Sequence, residues 1–221
     1  MPIEPDPSPE RSDGWMPDTI AVRGGTQRSA FNETSEGLFL TSGYVYDTAA
    51  EAAAAFAGES DHYMYSRLAN PTVTMFQDRL RDLEGAEGAW ATASGMSAVF
   101  NALAATVQAG DRIVAARGLF GSCFQVLDQI LPRFGVHTDF VDGDDLTQWE
   151  QALARPAKAV FFETPSNPMQ VLVDIPAVCE LAHAAGARVI VDNIFATPLL
   201  QRPLALVADV VVYSTTNHLD G

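Results

Sequence analysis

Cysteine is scarce in this sequence, and long hydrophobic runs are missing from it. The two cysteines, Cys123 and Cys179, lie far apart and lack the spacing of metal ligands, which disfavours a disulfide framework and a zinc site. No apolar run is long enough to cross a bilayer, and the first residues show neither the basic start nor the apolar segment of a secretion signal. We therefore expect a cytoplasmic protein without membrane contact or bound metal.

Basic residues are scarce as well. The chain has 13 Lys and Arg residues against 28 Asp and Glu residues, which gives a formal net charge of −15. A field of this sign repels nucleic acids and anionic membranes, so any bound phosphate must be held by local donors. Because neither a glycine-rich dinucleotide fingerprint nor a P-loop occurs, an unrelated nucleotide- or phosphate-binding module is the weaker interpretation.

The composition divides the 221 residues into three parts. Residues 1–18 are rich in proline and acidic side chains, which predicts a disordered leader. Residues 19–66 are irregular and contain a glycine pair and several aromatic residues, which predicts an N-terminal arm that lies on another surface. Residues 67–221 alternate between helical and strand patterns and form the predicted main domain.

The main domain begins with apolar residues at helical spacing in two segments, which end near Gly85 and Gly110. Segments rich in Val, Ile and Phe then predict strands at 112–116, 137–142, 157–163, 188–193 and 208–214. Helical patterns separate these strands, including a long one from Gly121 to Gly135. Strands that are apolar throughout indicate a mostly parallel sheet covered on both faces, so we predict a three-layer α/β fold.

Polar residues follow several of the predicted strands. Ligands of such folds bind beyond the carboxyl ends of the strands, where we find Glu163, Asp192 and the hydroxyl-rich turn 214–216. Asp192 closes a buried strand, and an ionised carboxylate there needs a partner to offset its desolvation. The helix start at Ser94 adds small residues with accessible backbone amides, although a serine there is often only a helix cap.

Together these features describe a site for pyridoxal phosphate: a phosphate cradle, a carboxylate for a protonated ring nitrogen, and a hydroxyl-rich turn. The segments "YSRLANPT", "SGMSA", "ETPSNP", "VDNIFATP" and "YSTTNHLDG" occur in the order found in one family. From about Tyr44 to Gly221 the chain resembles the Cys/Met-metabolism family of pyridoxal phosphate enzymes. The resemblance implies the fold-type I transferase fold, with 67–221 as the cofactor-binding domain.

The resemblance also implies which residues bind the cofactor. Gly95 and Met96, beside Ser94, would offer backbone amides to the phosphate, and the hydroxyls of Ser214 and Thr216 would assist them. One set of small donors can hold a phosphate even on an acidic protein.

Four further positions follow from the resemblance. Asp192 would pair with the ring nitrogen, and Asn167 would lie near the ring hydroxyl. Tyr65 and Arg67 would reach the phosphate bound by a neighbouring subunit, which implies a homo-oligomer, either a dimer or a tetramer.

Phe120 stands where most of this family has a ring-stacking tyrosine. Phenylalanine can stack but cannot transfer a proton. This position resembles the O-succinylhomoserine sulfhydrylase branch, which makes homocysteine from O-succinylhomoserine and sulfide in methionine biosynthesis. Cystathionine gamma-synthase and gamma-lyase activities are the alternatives within the family, while Cys123 is interpreted as a small buried filler.

Asn217 departs from the family pattern, because it occupies the position of the Schiff-base lysine. A carboxamide has no amine that could bind the cofactor covalently or move protons. The chain as written is therefore expected to be inactive by the family's route, and a non-catalytic cofactor-binding remnant is a further alternative. We also expect a fragment, because the resemblance implies a C-terminal domain beyond Gly221. His218 is predicted to point to the other side of an extended segment.

Overall fold

The computed structural model describes residues 14–219, which form two compact units that divide between Ala91 and Thr92. The leader predicted for residues 1–18 lies mostly outside the described residues. Its last two residues, however, begin a helix, so disorder is wrong for Pro17 and Asp18. The division after Ala91 separates two compact units. The boundary predicted after residue 66, between an arm and a cofactor-binding domain, stays a prediction.

The N-terminal unit contains three helices among its described residues: α1 (Pro17–Arg23), α2 (Ala49–Ala57) and α3 (Pro71–Glu84). Thr48 caps α2 by accepting the Glu51 N–H, and Asn70 caps α3 by accepting the Thr72 N–H. The prediction that residues 19–66 are irregular is thus corrected, since α2 and most of α1 lie within this range. Pattern reasoning missed α2 because its run of alanines has high helix propensity but little apolar periodicity.

Arg79 on α3 holds the segment that follows α1. Its guanidinium donates to the Gly24 carbonyl at 2.9 Å and to the Thr26 hydroxyl at 3.3 Å, and it pairs with Glu36. Gly25 approaches α3 closely in a left-handed conformation (φ +70°), and a Cβ there would lie 2.8 Å from the Met75 carbonyl oxygen. Only glycine combines that conformation with that space.

The second unit alternates helices and strands. Its first half consists of α4 (Gly95–Thr106), β1 (Arg112–Ala116), α5 (Gly121–Gln125), a π-helix (Val126–Ile130), a 3₁₀ helix (Leu131–Phe134), β2 (His137–Val141) and α6 (Leu146–Leu153). Its second half consists of β3 (Ala159–Glu163), α7 (Ile175–Ala184), β4 (Arg188–Asp192), α8 (Thr197–Leu200), a 3₁₀ helix (Pro203–Leu206), β5 (Val210–Val212) and α9 (Thr215–His218).

The five strands form one parallel sheet in the order β2-β1-β3-β4-β5, which confirms the predicted sheet type. The chain passes from β1 to β2 at one edge and returns to place β3 on the other side of β1. In open sheets of this kind, the crevice for a ligand lies beyond the carboxyl ends near such a reversal. The residues that follow β1, β3 and β4 are therefore expected to line a ligand site.

Alternate residues of each central strand point to opposite faces, and each face has its own buried cluster. Phe161 packs in the cluster that includes Val99 and Leu103 of α4, whereas Phe162 packs in the cluster that includes Trp149 of α6 and Val178 of α7. Helices thus cover both faces, and the predicted three-layer arrangement is confirmed.

Three local predictions differ from the structure. The helix predicted from Gly121 to Gly135 is a succession of α, π and 3₁₀ turns. The last strand is limited to Val210–Val212, and the segment after Ser214 turns into α9 instead of continuing extended. No helix among residues 14–219 is long and apolar enough to span a membrane.

Candidate active site

The start of α4 lies directly against the end of β5. A Cβ added at Gly95 would come within 2.6 Å of the Ser214 Cβ and 3.0 Å of its hydroxyl oxygen. Any other residue at position 95 would therefore force the two segments apart. The structure thus brings together Gly95 and Ser214, two residues predicted to bind phosphate.

Ser94 caps α4, because its hydroxyl accepts the Ser97 N–H at 3.1 Å. This is the structural role that a serine at a helix start often has. The cap leaves the amides of the first turn directed out of the helix, where they can meet an anion. The side chain of Ser94 is therefore already used in orienting this turn.

Asp192 ends β4 on the face covered by α4, and it is completely buried. Its Oδ1 accepts the Ile194 N–H at 3.2 Å. Burial, together with the neighbouring Glu163 carboxylate, raises the pKa of Asp192 from 3.8 to about 7. None of the described groups that shift this pKa is a cation, so the carboxylate is suited to a positively charged partner supplied by a ligand.

Cys123 connects the acid to the start of α4. Its Sγ lies 3.9 Å from Asp192 Oδ2 and 3.8 Å from the Met96 sulfur, and the side chain is 1% exposed. Burial raises the pKa of the thiol, so it stays protonated and can donate weakly to the carboxylate. The predicted filler role is thus extended: Cys123 contacts both the start of α4 and the buried acid Asp192.

Glu163 was seen in the sequence only as a polar strand end, and the structure gives it a larger place. It pairs in register with Asp192 on the adjacent strand and is 3% exposed. Its Oε2 accepts the Phe120 N–H at 2.6 Å. Burial raises the pKa of Glu163, and the backbone N–H groups of Phe120 and Asn167 act on the carboxylate in the opposite direction. Phe120 is 43% exposed, and Asn167 is half-buried.

The turn after β5 is helical. Thr215, Thr216, Asn217 and His218 form α9, with Ser214 as its first flanking residue. Thr216, Asn217 and His218 are exposed, and the His218 ring meets the Phe195 ring edge-on at 6.3 Å between centroids. The prediction that His218 lies on the opposite side of an extended segment from Asn217 is wrong, because both residues belong to one short helical turn.

Tyr65 and Arg67 belong to the N-terminal unit. The Arg67 guanidinium lies 5.3 Å from the centre of the Tyr65 ring, a cation–π distance, and Tyr65 is 46% exposed. The two side chains thus form a pair on the surface of that unit.

A small cavity of about 130 Å³ lies beyond the ends of β1 and β3. Its acidic lining comes from Asp142, Asp144 and Glu163, and its small residues include Gly118 and Gly143. Gly95, Met96, Cys123, Asp192 and Ser214, which we call the Gly95–Asp192 cluster, do not line this cavity. No set of three or more His, Cys, Asp or Glu residues within 14–219 could hold a metal ion.

A family model for Cys/Met metabolism PLP-dependent enzymes matches residues 18–221. The chain belongs to this family. It is 66% identical over 209 residues to the O-succinylhomoserine sulfhydrylase of Mycobacterium tuberculosis, covering 95% of this chain and 52% of that protein. It is 43% identical over 204 residues to the L-methionine gamma-lyase of Porphyromonas gingivalis, covering 92% of this chain and 51% of that protein.

A solved family structure has the same fold. It is described as an O-acetylhomoserine (thiol)-lyase from Campylobacter jejuni and carries N'-pyridoxyl-lysine-5'-monophosphate. It matches with a TM-score of 0.86 at 30% identity, covering 92% of this chain and 50% of that one. The predicted fold-type I architecture and the predicted cofactor, pyridoxal phosphate, are therefore confirmed. The chain spans about half the length of the relatives it matches.

The residues described above fit this cofactor. The start of α4 lies directly against Ser214, so the amides of a helix start and a hydroxyl occur side by side, as a phosphate requires. Asp192 offers a buried acid without a cationic partner among the groups that shift its pKa, as a protonated ring nitrogen requires. Cys123 and Met96 connect these two ends on one face of the sheet.

Proposed function

We propose that this chain is the cofactor-binding portion of a pyridoxal phosphate-dependent O-succinylhomoserine sulfhydrylase. The observation that carries the proposal is the 66% identity to an enzyme of that name over 95% of the chain. The substrates would be O-succinylhomoserine and sulfide, and the product would be homocysteine for methionine biosynthesis. The geometry of the Gly95–Asp192 cluster supports the proposal because it provides for both ends of the cofactor.

The phosphate would be held at the start of α4. The backbone amides of Gly95 and Met96 and the hydroxyls of Ser214 and Thr216 are the donors, while Ser94 orients the turn as its cap. The close approach of Gly95 to Ser214 supports this assignment, since it places donors of both segments side by side.

The ring would be held by Asp192, Phe120 and Asn167. Asp192 would accept the hydrogen bond of the ring nitrogen and keep that nitrogen protonated, Phe120 would cover one ring face, and Asn167 would face the ring hydroxyl. When bound, the cofactor supplies an electron sink for negative charge that develops on the substrate. The buried position of Asp192 strengthens its interaction with a cation because little water competes there.

Phe120 would affect the reaction because it lacks the hydroxyl group of a tyrosine. A tyrosine there could exchange a proton with the substrate or the cofactor, whereas phenylalanine can only pack and exclude water. Proton transfers would then fall to other groups, in the family chiefly to the lysine whose position Asn217 occupies. With Asn217, the chain would bind pyridoxal phosphate reversibly and without catalysis.

Asn217→Lys tests this assignment. We expect the variant, incubated with pyridoxal phosphate and reduced with borohydride, to gain a cofactor adduct on the introduced lysine, because α9 adjoins Ser214 in the proposed phosphate cradle. Mass spectrometry of the digested protein locates the adduct. The unsubstituted chain is the control and should lose the cofactor on dialysis. A folded lysine variant without an adduct at 217 would refute the assignment.

A second candidate activity is gamma-elimination, favoured by the 43% identity to an L-methionine gamma-lyase. Cystathionine gamma-synthase and gamma-lyase reactions use related substrates. The full-length protein with lysine at the position of Asn217 would be assayed with O-succinylhomoserine plus sulfide, with cystathionine, and with methionine. Homocysteine formation from the first pair should be fastest, and faster release of a keto acid from methionine or cystathionine would favour elimination.

We also propose a cytoplasmic homo-oligomer, a dimer or a tetramer, in which Tyr65 and Arg67 reach the cofactor of a neighbouring subunit. Their exposure as a pair on the N-terminal unit supports this role. Sedimentation of the full-length protein checks it, and a cofactor-loaded monomer would contradict it.

A further inference from the structure

Glu163 is a buried carboxylate that the proposed cofactor contacts do not use. It ends β3 next to Asp192 on β4, and the two residues pair in register on adjacent parallel strands. Residues in register share a face of the sheet, so both side chains face the layer formed by α4 and α5. Glu163 therefore stands directly behind the site, with only 3% of its surface exposed.

The contacts of Glu163 join two separate loops. The Phe120 N–H, at the end of the loop after β1, donates to Glu163 Oε2 at 2.6 Å. The Asn167 N–H, in the loop after β3, interacts with the same carboxylate and lowers its pKa, against the effect of burial. These loops carry the residues that would cover the ring face and face the ring hydroxyl. One side chain thus fixes the backbone on both sides of the proposed ring position.

The burial of Glu163 is costly for a residue that only fills space. A buried carboxylate loses its hydration, and the desolvation raises the pKa of Glu163. An apolar residue of similar size would avoid this cost but could not accept the two amide protons. Costly acids of this kind concentrate at functional sites, where their hydrogen bonds hold other groups in place.

The surroundings of Glu163 are acidic. Asp192 lies beside it in register, Asp142 and Asp144 line a cavity with it, and Cys123 is a thiol whose pKa is raised in part by Glu163. The like charge of Glu163 also acts on the Asp192 carboxyl. An exchange at position 163 can therefore change the hydrogen bonds, the charge, or both.

We infer that Glu163 is a positioning residue that clamps the Phe120 and Asn167 loops around the pyridoxal phosphate ring. The inference rests on the proposed roles of Phe120 and Asn167. It assigns Glu163 no contact with the cofactor, and it explains why an acid follows four buried apolar residues of β3.

Two exchanges separate the clamp from the charge. Glu163→Asp keeps the charge but shortens the side chain by one methylene, so it cannot reach both amides. Glu163→Gln keeps the length and one acceptor oxygen but removes the charge. Glu180→Asp and Glu180→Gln on the exposed side of α7 are matched controls, because they make the same chemical changes away from the site.

The first measurement needs no cofactor. In the 221-residue chain, the Phe120 and Asn167 amide resonances should shift together as Glu163 titrates. Glu163→Gln should abolish this shared shift and move the titration of Asp192 to lower pH, because a negative neighbour is removed. Amides that titrate independently of Glu163 would overturn the clamp, whether or not the chain binds pyridoxal phosphate.

The second measurement uses pyridoxal phosphate itself. Glu163→Asp should weaken the binding of pyridoxal phosphate roughly tenfold, because the shorter side chain loses one charge-assisted hydrogen bond that positions a loop. It should also change the induced circular dichroism of the bound ring. Glu163→Gln should cause a smaller loss, and the Glu180 variants none. Wild-type affinity and dichroism in a folded Glu163→Asp variant would overturn the inference. Failure of the unsubstituted chain to bind would instead count against the proposed cofactor site.

Discussion

The N-terminal unit and the second unit, which contains the sheet and is called the sheet unit below, differ in how much apolar surface they bury. In the sheet unit two buried clusters fill both sides of the strands. In the described part of the N-terminal unit, by contrast, the buried hydrophobic residues are Ala55 and Met75. Several large side chains there are almost fully exposed, among them Phe31 at 91% and Leu40 at 95%.

This difference shows that the two units are stabilised by different interactions. The sheet unit has a core of its own, whereas the N-terminal unit relies on polar contacts such as those of Arg79. Exposed apolar side chains in such number are typical of surfaces that contact a partner. The predicted arm on another surface stays a prediction.

Phe161→Ala should have the largest effect, because it removes a fully buried ring from the sheet. We expect the free energy of unfolding to fall by about 3–5 kcal/mol, from lost burial and the cavity left behind. Urea denaturation followed by circular dichroism measures it. Phe134→Ala, at a 60% exposed phenylalanine, is the matched control. Equal losses in the two variants would break the contrast between core and surface.

Asp192→Asn should separate stability from binding. The pKa of Asp192 is raised in the folded chain, so the folded state holds its proton more tightly and stability falls as the pH rises from about 4 to about 7. The variant lacks this decline, so at pH 8 its free energy of unfolding should be roughly 2–4 kcal/mol higher than that of the parent.

The same variant should bind pyridoxal phosphate more weakly, because a neutral amide pairs poorly with a protonated ring nitrogen. Denaturation curves at several pH values and a cofactor titration measure the two effects. Unchanged cofactor affinity would remove Asp192 from its proposed role, and a parallel pH dependence in parent and variant would contradict its raised pKa.

Arg79→Met should destabilise the N-terminal unit moderately. The exchange keeps much of the apolar stem but removes donors to Gly24 and Thr26 and the ion pair with Glu36. We expect the free energy of unfolding of this unit to fall by about 1–2 kcal/mol. In hydrogen exchange, the loss of amide protection should be confined to residues 14–91. Arg133→Met, at an exposed site, is the control. Equal loss of protection in the sheet unit would show that the units do not unfold separately.

Leu40→Ser should change stability least. Because Leu40 is 95% exposed, we expect the free energy of unfolding of this chain to stay within about 0.5 kcal/mol. If this surface is covered by a neighbouring subunit, the same exchange should weaken assembly of the full-length protein in sedimentation experiments. A large loss of stability in the isolated chain would show that Leu40 packs within its own unit.

Most of the sheet unit could be predicted from the sequence, because its strands are apolar throughout and its helices carry periodic apolar residues. The strand at Arg112–Ala116 is confirmed to the residue, and the helix predicted to start at Ser94 is confirmed as Gly95–Thr106. In the N-terminal unit, the helix predicted to end near Gly85 is confirmed as Pro71–Glu84. The missed elements are short or alanine-rich, such as α1 and α2, where tertiary contacts and propensity act without periodicity.

The candidate site could be predicted in part. Asp192, Gly95 and Ser214 carry local signals that become informative in combination, namely an acid after a buried strand, a glycine at a helix start and a hydroxyl-rich turn. Glu163 had the same signal as Asp192, an acid that ends an apolar strand, but its partners Phe120 and Asn167 lie in different loops. Cys123 had no signal, because a thiol gains its meaning only from what surrounds it.

The sequence by itself determined the parallel α/β sheet, the family and the kinds of chemical groups that follow the strands, since periodicity and ordered motifs are properties of neighbours along the chain. Only the tertiary structure decided that Gly95 touches Ser214, that Cys123 joins Met96 to Asp192, and that Glu163 holds two loops at once. These contacts bring together residues from distant segments, because strand order and helix packing set the distances between them.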